Sequence, residues 1–301
     1  MSTKFRSIKL PLILMTVPFF AFILLFNYVP LFGWLMAFQD YFPGKPILEQ
    51  DFVGLKHFHR VLTDAQFMHA LRNTLVISFL SLLTSPAPMI LALLLNEVKK
   101  MKFRKFVQTV SSLPNFISWI IVYSVFFSFF SVDEGAINKL LLQFGLIHTP
   151  TDLLSNSGIA WYFQTLVGMW KGLGWGAIIY LAALSGVDQE LYEAARVDGA
   201  SRYQEAWHIS LPGMLPTFVV LLILGIGNLL AGGGFEQMFT FMNPMVMDRL
   251  ENLDTYTYKM GLQGLSFSYA TAVGIMKSLV SVLLLLAANA ISKRINGRSI
   301  L

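Results

Sequence analysis

Residues 188 to 209 read D-Q-E-L-Y-E-A-A-R-V-D-G-A-S-R-Y-Q-E-A-W-H-I, a polar, helix-forming segment between two long apolar runs. The run before it, 159 to 184, holds one charge, Lys171, and the run after it, 214 to 236, holds none before Glu236. Crossing the hydrocarbon of a bilayer, about 30 Å, takes about 20 helical residues. Both runs are long enough, so the quoted segment is a loop at one membrane face. Asp188 is an N-cap for a first short helix, and the acids of its first turn suit the positive end of a helix dipole. Leu191, Ala194, Ala195 and Val197 form an apolar stripe on it. Gly199 permits a turn, and Tyr203, Ala206 and Trp207 carry the stripe onto a second short helix, with Pro212 and Pro216 punctuating entry into the next span. Two small helices are therefore expected across one face of the membrane, with small side chains that allow close docking of another protein.

Working outward, the pattern repeats. Uncharged stretches of spanning length lie near 12 to 38, 73 to 95, 107 to 130, 159 to 184, 214 to 236 and 269 to 291, the last with Lys277 inside it. The chain is 55% hydrophobic and 13% charged, against about a quarter charged in an average soluble domain. These features predict an all-α polytopic membrane protein with six transmembrane helices. The first run follows Lys4, Arg6 and Lys9 but is uncharged from 10 to 39, longer than the roughly 7 to 15 apolar residues of a secretory signal, and no small-residue cleavage pattern follows. It reads as a retained helix.

Orientation comes from Lys and Arg, which are enriched in cytoplasmic segments. With the N-terminus inside, the inner segments hold thirteen of them, including Lys99, Lys100, Lys102, Arg104 and Lys105, against seven in the outer segments. Both termini are expected in the cytoplasm. The net charge of +5 sits in clusters beside apolar runs rather than over one face, which speaks for membrane orientation and against nucleic acid. The loop from 185 to 213 departs from the rule, with two basic residues and the five acids Asp188, Glu190, Glu193, Asp198 and Glu205.

That loop carries a resemblance. E-A-A-R-V-D-G-A followed by I-S-L-P-G-M-L-P is similar to the EAA loop of the permease subunits of binding-protein-dependent importers of the ATP-binding cassette type. Glu193, Ala194, Ala195, Asp198, Gly199, Leu211 and Pro212 stand in the family's order and spacing, followed by Pro216. F-V-G-L-K-H-F at 52 to 58 and A-L-R-N-T at 70 to 74 look like the family's sugar permeases. G-F-E-Q-M-F at 234 to 239, D-T-Y-T-Y at 254 to 258 and Y-A-T-A-V-G-I-M-K-S at 269 to 278 resemble its branch for complex oligosaccharides and uronate-containing glycans.

The resemblance implies the type I importer permease fold. It also implies a layout of N-terminal tail, first helix and first outer loop over 1 to 70, a common core over 71 to 291 with the coupling loop at 188 to 213, and a short tail over 292 to 301. It further implies that Glu193, Ala194, Ala195, Asp198, Gly199, Leu211 and Pro212 dock on an ATPase. The implied partners are a second, related permease, two ATPase copies that bind the ATP and Mg, a periplasmic or extracellular solute-binding protein, and membrane lipid. The implied cargo is an oligosaccharide and the implied location is a bacterial cell membrane. The long outer domain of some maltose-type subunits is not matched, and with only R-S-I-L after Gly297 no appended regulatory domain is expected.

Chemistry of its own is not evident in the chain. It contains no G-x-x-x-x-G-K-[ST] phosphate loop, and Gly232, Gly233 and Gly234 lead into Phe-Glu-Gln without the lysine that reaches a phosphate. Without Cys, disulfides and thiolate metal sites drop out. His57 and His59 could share one side of a strand, but they lack a third ligand nearby and read as loop surface. The adjacent acids Asp133 and Glu134 lack a positioned partner and read as solvated. No catalytic residue, metal site or bound cofactor is expected.

A charge inside the membrane is costly and raises a functional question by default. Lys171 lies twelve residues past the start of the fourth run, about 18 Å at the helical rise, and so near mid-depth. Lys171, Lys277 and Glu236, with Trp170, Trp175 and Phe235, are candidates to line a solute pathway, because aromatic faces suit sugar rings and amines suit an acidic glycan. The alternative is that the lysines snorkel or pair between helices. A secondary transporter would need carboxylates at mid-span, and a membrane enzyme would need a cluster of acids or histidines at one interface. Neither pattern is present.

Overall fold

A computed structural model describes residues 3–296, so Arg298 and the tail from 297 onward lie outside the described residues. The described chain is helical, with one isolated bridge between Gln39 and Phe52 and no strand among the described residues. It divides into two units, 1–64 with 257–276 and 65–256 with 277–301.

In the first unit, α1 (Thr3–Ile23) passes through a π turn into a 3-10 stretch, Val29–Phe38, where Pro30 removes an amide donor and stops the α pattern. Ile13 to Phe38 is long and apolar enough to cross a membrane. Its Met15, Phe19, Phe22 and Phe26 are exposed, a surface that suits lipid and not water. Next comes α2 (Lys56–Thr63), amphipathic, with Val61 and His57 buried. The two histidines therefore lie on a helix, not on a strand, and two residues apart they point to opposite sides, His57 inward and His59 outward. Among the described residues no group of His, Cys, Asp or Glu has the makings of a metal site. Lys56 Nζ donates to Asp40 Oδ2 at 2.6 Å and holds the carboxyl below its ordinary range. Tyr269 Oη donates to Asp64 Oδ2 at 2.9 Å.

The second unit opens with α3 (Ala65–Thr84) and α4 (Ala87–Glu97), which together make one apolar span with Pro86 and Pro88 at the junction. Then α5 (Met101–Ser112) and α6 (Trp119–Phe130) meet at a bend of 107°. The run at 107 to 130, expected as one helix, is thus broken. The causes are local: Pro114 opens a 3-10 turn over Leu113–Phe116, and Ser118 N-caps the new helix by accepting from Ile121 N. After α7 (Ala136–Gln143) the long α8 (Ala160–Ser185) forms the fourth span.

The coupling loop contributes α9 (Gln189–Val197) and α10 (Arg202–Glu205), and α10 runs through a π turn, Ala206–Ser210, directly into α11 (Leu211–Gly227). Arg202 to Gly227 is one apolar helix of 26 residues. The expectation of a second, separate short helix is corrected: Pro212 and Pro216 do not separate it from the span, because the π turn widens the backbone where the Pro212 ring would otherwise meet the preceding carbonyl. The expected end at 236 is corrected too. The helix stops at Gly227, and Gly232 (φ +53), Gly233 (φ +81) and Gly234 (φ +85) carry the chain through left-handed backbone, so Phe235 and Glu236 open α12 (Phe235–Phe241) instead.

Two short helices, α13 (Met247–Leu250) and α14 (Leu253–Tyr258), precede the final span α15 (Phe267–Asn296). Buried Asn73 on α3 donates to the carbonyls of Asp248 and Glu251, both at 3.0 Å, and Asn252 Nδ2 donates to Gly232 O at 3.0 Å. These amides satisfy backbone that the helix breaks leave open. One core joins Ile77, Val122, Val167, Met238 and Phe241, with Phe126 edge-on to Phe163, Phe241 and Trp170. A second joins Met89, Ala92, Ala177, Tyr180 and Met214. Gly174 makes a close approach possible, since a Cβ there would lie 2.2 Å from the Ser111 carbonyl carbon.

Candidate functional site: the coupling loop and its anchors

The finger is built from local signals. Asp188 accepts from Glu190 N at 3.0 Å and starts α9 as expected. At the far end the amide of Gly199 donates to Arg196 O at 3.1 Å and that of Ala200 to Ala195 O at 2.9 Å, with Gly199 at φ +76. This is the left-handed helix stop that glycine makes without steric cost. Ser201 and Gln204 then form a reciprocal capping box that launches α10.

The expected docking residues sit where a partner can reach them. Glu193, Ala194, Asp198, Gly199 and Pro212 are exposed, and Ala195 and Leu211 are half-buried. Leu191 (54%), Val197 (88%), Tyr203 (76%) and Trp207 (55%) expose apolar surface beside them, and the last two stack at 6.3 Å. Exposed apolar side chains on a charged finger mark an interaction surface.

Two links that the sequence did not single out tie the finger to the span. Tyr192 Oη and Ser210 Oγ share a buried hydrogen bond of 2.8 Å, and Arg196 Nε donates to the buried Glu205 carboxylate at 3.2 Å. Their only trace in the sequence is a polar residue on the inward side of each short helix. Because α10 and α11 are continuous, these links join α9 to the long apolar helix Arg202–Gly227. Tyr192→Phe removes one hydrogen bond, a loss of about 1 kcal/mol. The expected outcome is a receptor-stimulated ATPase rate lowered severalfold with unchanged assembly, read in reconstituted complex. A rate equal to wild type would mean the link carries no motion.

The six pathway candidates are spread over different neighbourhoods. Lys171 on α8 donates to Asn115 O at 2.9 Å, at the break between α5 and α6, and its ammonium lies 5.2 Å from the Trp119 ring. It satisfies a carbonyl that the bend releases at membrane depth, where an open one costs several kcal/mol, about 2 or more. Lys277 on α15 is ion-paired with Asp254, both partly buried. Trp170 meets Phe126 and Trp175 meets Phe116 edge-on. Phe235 stacks on Phe239, and Glu236 is exposed.

Helices long and apolar enough to cross a membrane, with an exposed, alanine-rich finger hydrogen-bonded to one of them, are the features of a membrane protein that presents a docking surface to a partner. The chain belongs to the family described as the binding-protein-dependent transport system inner membrane component, which matches residues 84–297. It is 43% identical over 286 residues to Protein LplB of Bacillus subtilis, covering 94% of this chain and 88% of that one. It is 44% identical over 292 residues to the polygalacturonan/rhamnogalacturonan transport system permease protein YteP of the same organism, covering 96% and 89%. A solved chain of a bacterial alginate transporter, in complex with an alginate pentasaccharide-bound periplasmic protein, superimposes with a TM-score of 0.88 at 36% identity, covering 99% of each chain. This protein is accordingly a multi-pass permease subunit of an importer of the ATP-binding cassette type, and hydrolysis belongs to a separate ATPase subunit.

Proposed function

We propose that this chain takes up an oligosaccharide, acidic in character, handed over by an extracellular solute-binding protein. It works as one of two permeases, the other a related chain, over two ATPase copies that hold the ATP and Mg. Both termini lie in the cytoplasm, and the core from 71 to 291 does the transport. The observation that carries this is the finger Gln189–Val197, exposed on its apolar side and tied to the 26-residue helix Arg202–Gly227. Glu193, Ala194, Ala195, Asp198, Gly199, Leu211 and Pro212 seat it in the ATPase. The acidic cargo is supported by relatives named for polygalacturonan and rhamnogalacturonan and by a solved neighbour that handles alginate. Purification from the native membrane should bring down an ATPase and a second permease in fixed ratio. Uptake by vesicles holding this polypeptide alone would defeat the proposal.

Trp170, Trp175 and Phe235 supply aromatic faces to the pathway, with Lys171, Lys277 and Glu236 beside them. The lysines also serve packing, through Asn115 and Asp254. Transport assays separate the two roles. For Lys171→Ala and Lys277→Ala the expectation is uptake of an acidic oligosaccharide lowered about tenfold and of a neutral one lowered less, a charge contribution of about 1.4 kcal/mol. Equal loss for both sugars assigns the lysines to packing alone.

A further inference from the structure

A cavity of about 750 Å³ lies beside the coupling loop, and cationic side chains outnumber acidic ones in its wall. Lys99, Arg104, Arg196 and Arg202 line it, against Glu97 and Glu205. Glu205 is already engaged by Arg196. Lys99, Arg104 and the exposed Arg202 make no ion pair among the described residues, and Arg104 is half-buried in that condition. Cations converging from the end of α4, the first turn of α5 and the base of the finger repel one another, and a bound anion relieves this.

We propose that this cavity binds the headgroup phosphate of an anionic phospholipid, an assignment that rests on the importer reading above for its cytoplasmic placement. Three observations favour a lipid over a soluble anion. Asn96 and Glu97 on the last turn of α4, and Leu181, Leu184 and Ser185 on the last turns of α8, line the cavity, so it sits where the two spans leave the hydrocarbon. Phe103, Phe106 and Val110 are exposed at successive turns of α5, an apolar track that leads from the cationic turn into the membrane. Lys100, Lys102 and Lys105 flank the same turn and add to the attraction for an anionic leaflet. The lipid then joins α5 to Arg202 at the start of the continuous helix Arg202–Gly227, so leaflet composition sets how firmly the finger is held.

The test uses the full complex in nanodiscs of phosphatidylcholine alone or mixed with phosphatidylglycerol, with lipid retention read by native mass spectrometry and coupling by receptor-stimulated ATPase rate. Phosphatidylglycerol should be retained selectively and should raise the stimulated rate. Arg104→Gln should weaken retention about fivefold, while Lys293→Gln, an equal loss of charge on the exposed last turn of α15, leaves it unchanged. Lys99→Gln, at the rim of the cavity, stands in if Arg104→Gln fails to accumulate. An equal drop in both variants, or none in either, overturns the site. Full coupling restored in phosphatidylcholine discs by inorganic phosphate overturns the lipid assignment. A preparation without an ATPase would count against the importer reading instead, and retention on the permease alone would still decide this one.

Discussion

Gly199→Pro is expected to abolish solute uptake, a loss greater than about tenfold, while leaving the spans folded and the complex assembled. The residue sits at φ +76, whereas proline is held near −65°. Its amide, which donates to Arg196 O at 3.1 Å, disappears as well. The finger therefore cannot stop and reverse in its native way, and α9 swings relative to α10. Nothing lies within 4 Å of a Cβ at this position, so the damage stays in the loop. Gly199→Ala isolates the backbone effect, because a left-handed alanine costs about 1 to 2 kcal/mol without a clash; partial uptake is expected from it. The measurement is uptake by proteoliposomes alongside ATPase rate with and without loaded receptor. Coupled transport at the wild-type level in the proline variant would refute the transmission role of this turn.

Gly174→Leu is expected to prevent accumulation of a folded chain. A Cβ on residue 174 would lie 2.2 Å from Ser111 C, 2.3 Å from Ser111 O and 2.4 Å from Ser112 N. These are backbone atoms in the last turn of α5, next to the bend, and no rotamer change moves them aside. Even Gly174→Ala must push α5 away from α8, at a cost of about 1 to 3 kcal/mol. Gly172→Ala, two residues earlier with nothing within 4 Å, is the control and should be neutral or slightly stabilising, since alanine is favoured over glycine in helices by about 1 kcal/mol. Thermal unfolding of the purified complex reads the series. A Gly174→Leu protein with the wild-type midpoint would mean that the two helices do not meet closely.

Five of the six apolar runs hold a helix of spanning length and were legible from length and charge alone, because bilayer thickness sets a minimum length for every span. The finger was legible too: Asp188, the acids after it and Gly199 are short-range signals that act within one turn of helix. What escaped was decided at long range or by competition. The break at Pro114 and Ser118 lies inside an apolar run, where a composition window averages it away. The bond from Lys171 to Asn115 O was hidden because the two are 56 residues apart and the carbonyl belongs to backbone that only the bend exposes. In the sequence Pro212 and Pro216 read as punctuating entry into the span, and the π turn that carries α10 into α11 ahead of them has no sequence signature. The Tyr192 to Ser210 and Arg196 to Glu205 links required knowing that the chain doubles back on itself at Gly199.

The continuity of Arg202–Gly227 has a geometric consequence. Twenty-six residues at the helical rise make a shaft of about 39 Å. If it pivots near its lower end, a tilt of about 10° sweeps the far tip through about 7 Å, more than one helical pitch. Under the proposed coupling, a displacement of modest amplitude beside the finger is enlarged at the far end of the shaft.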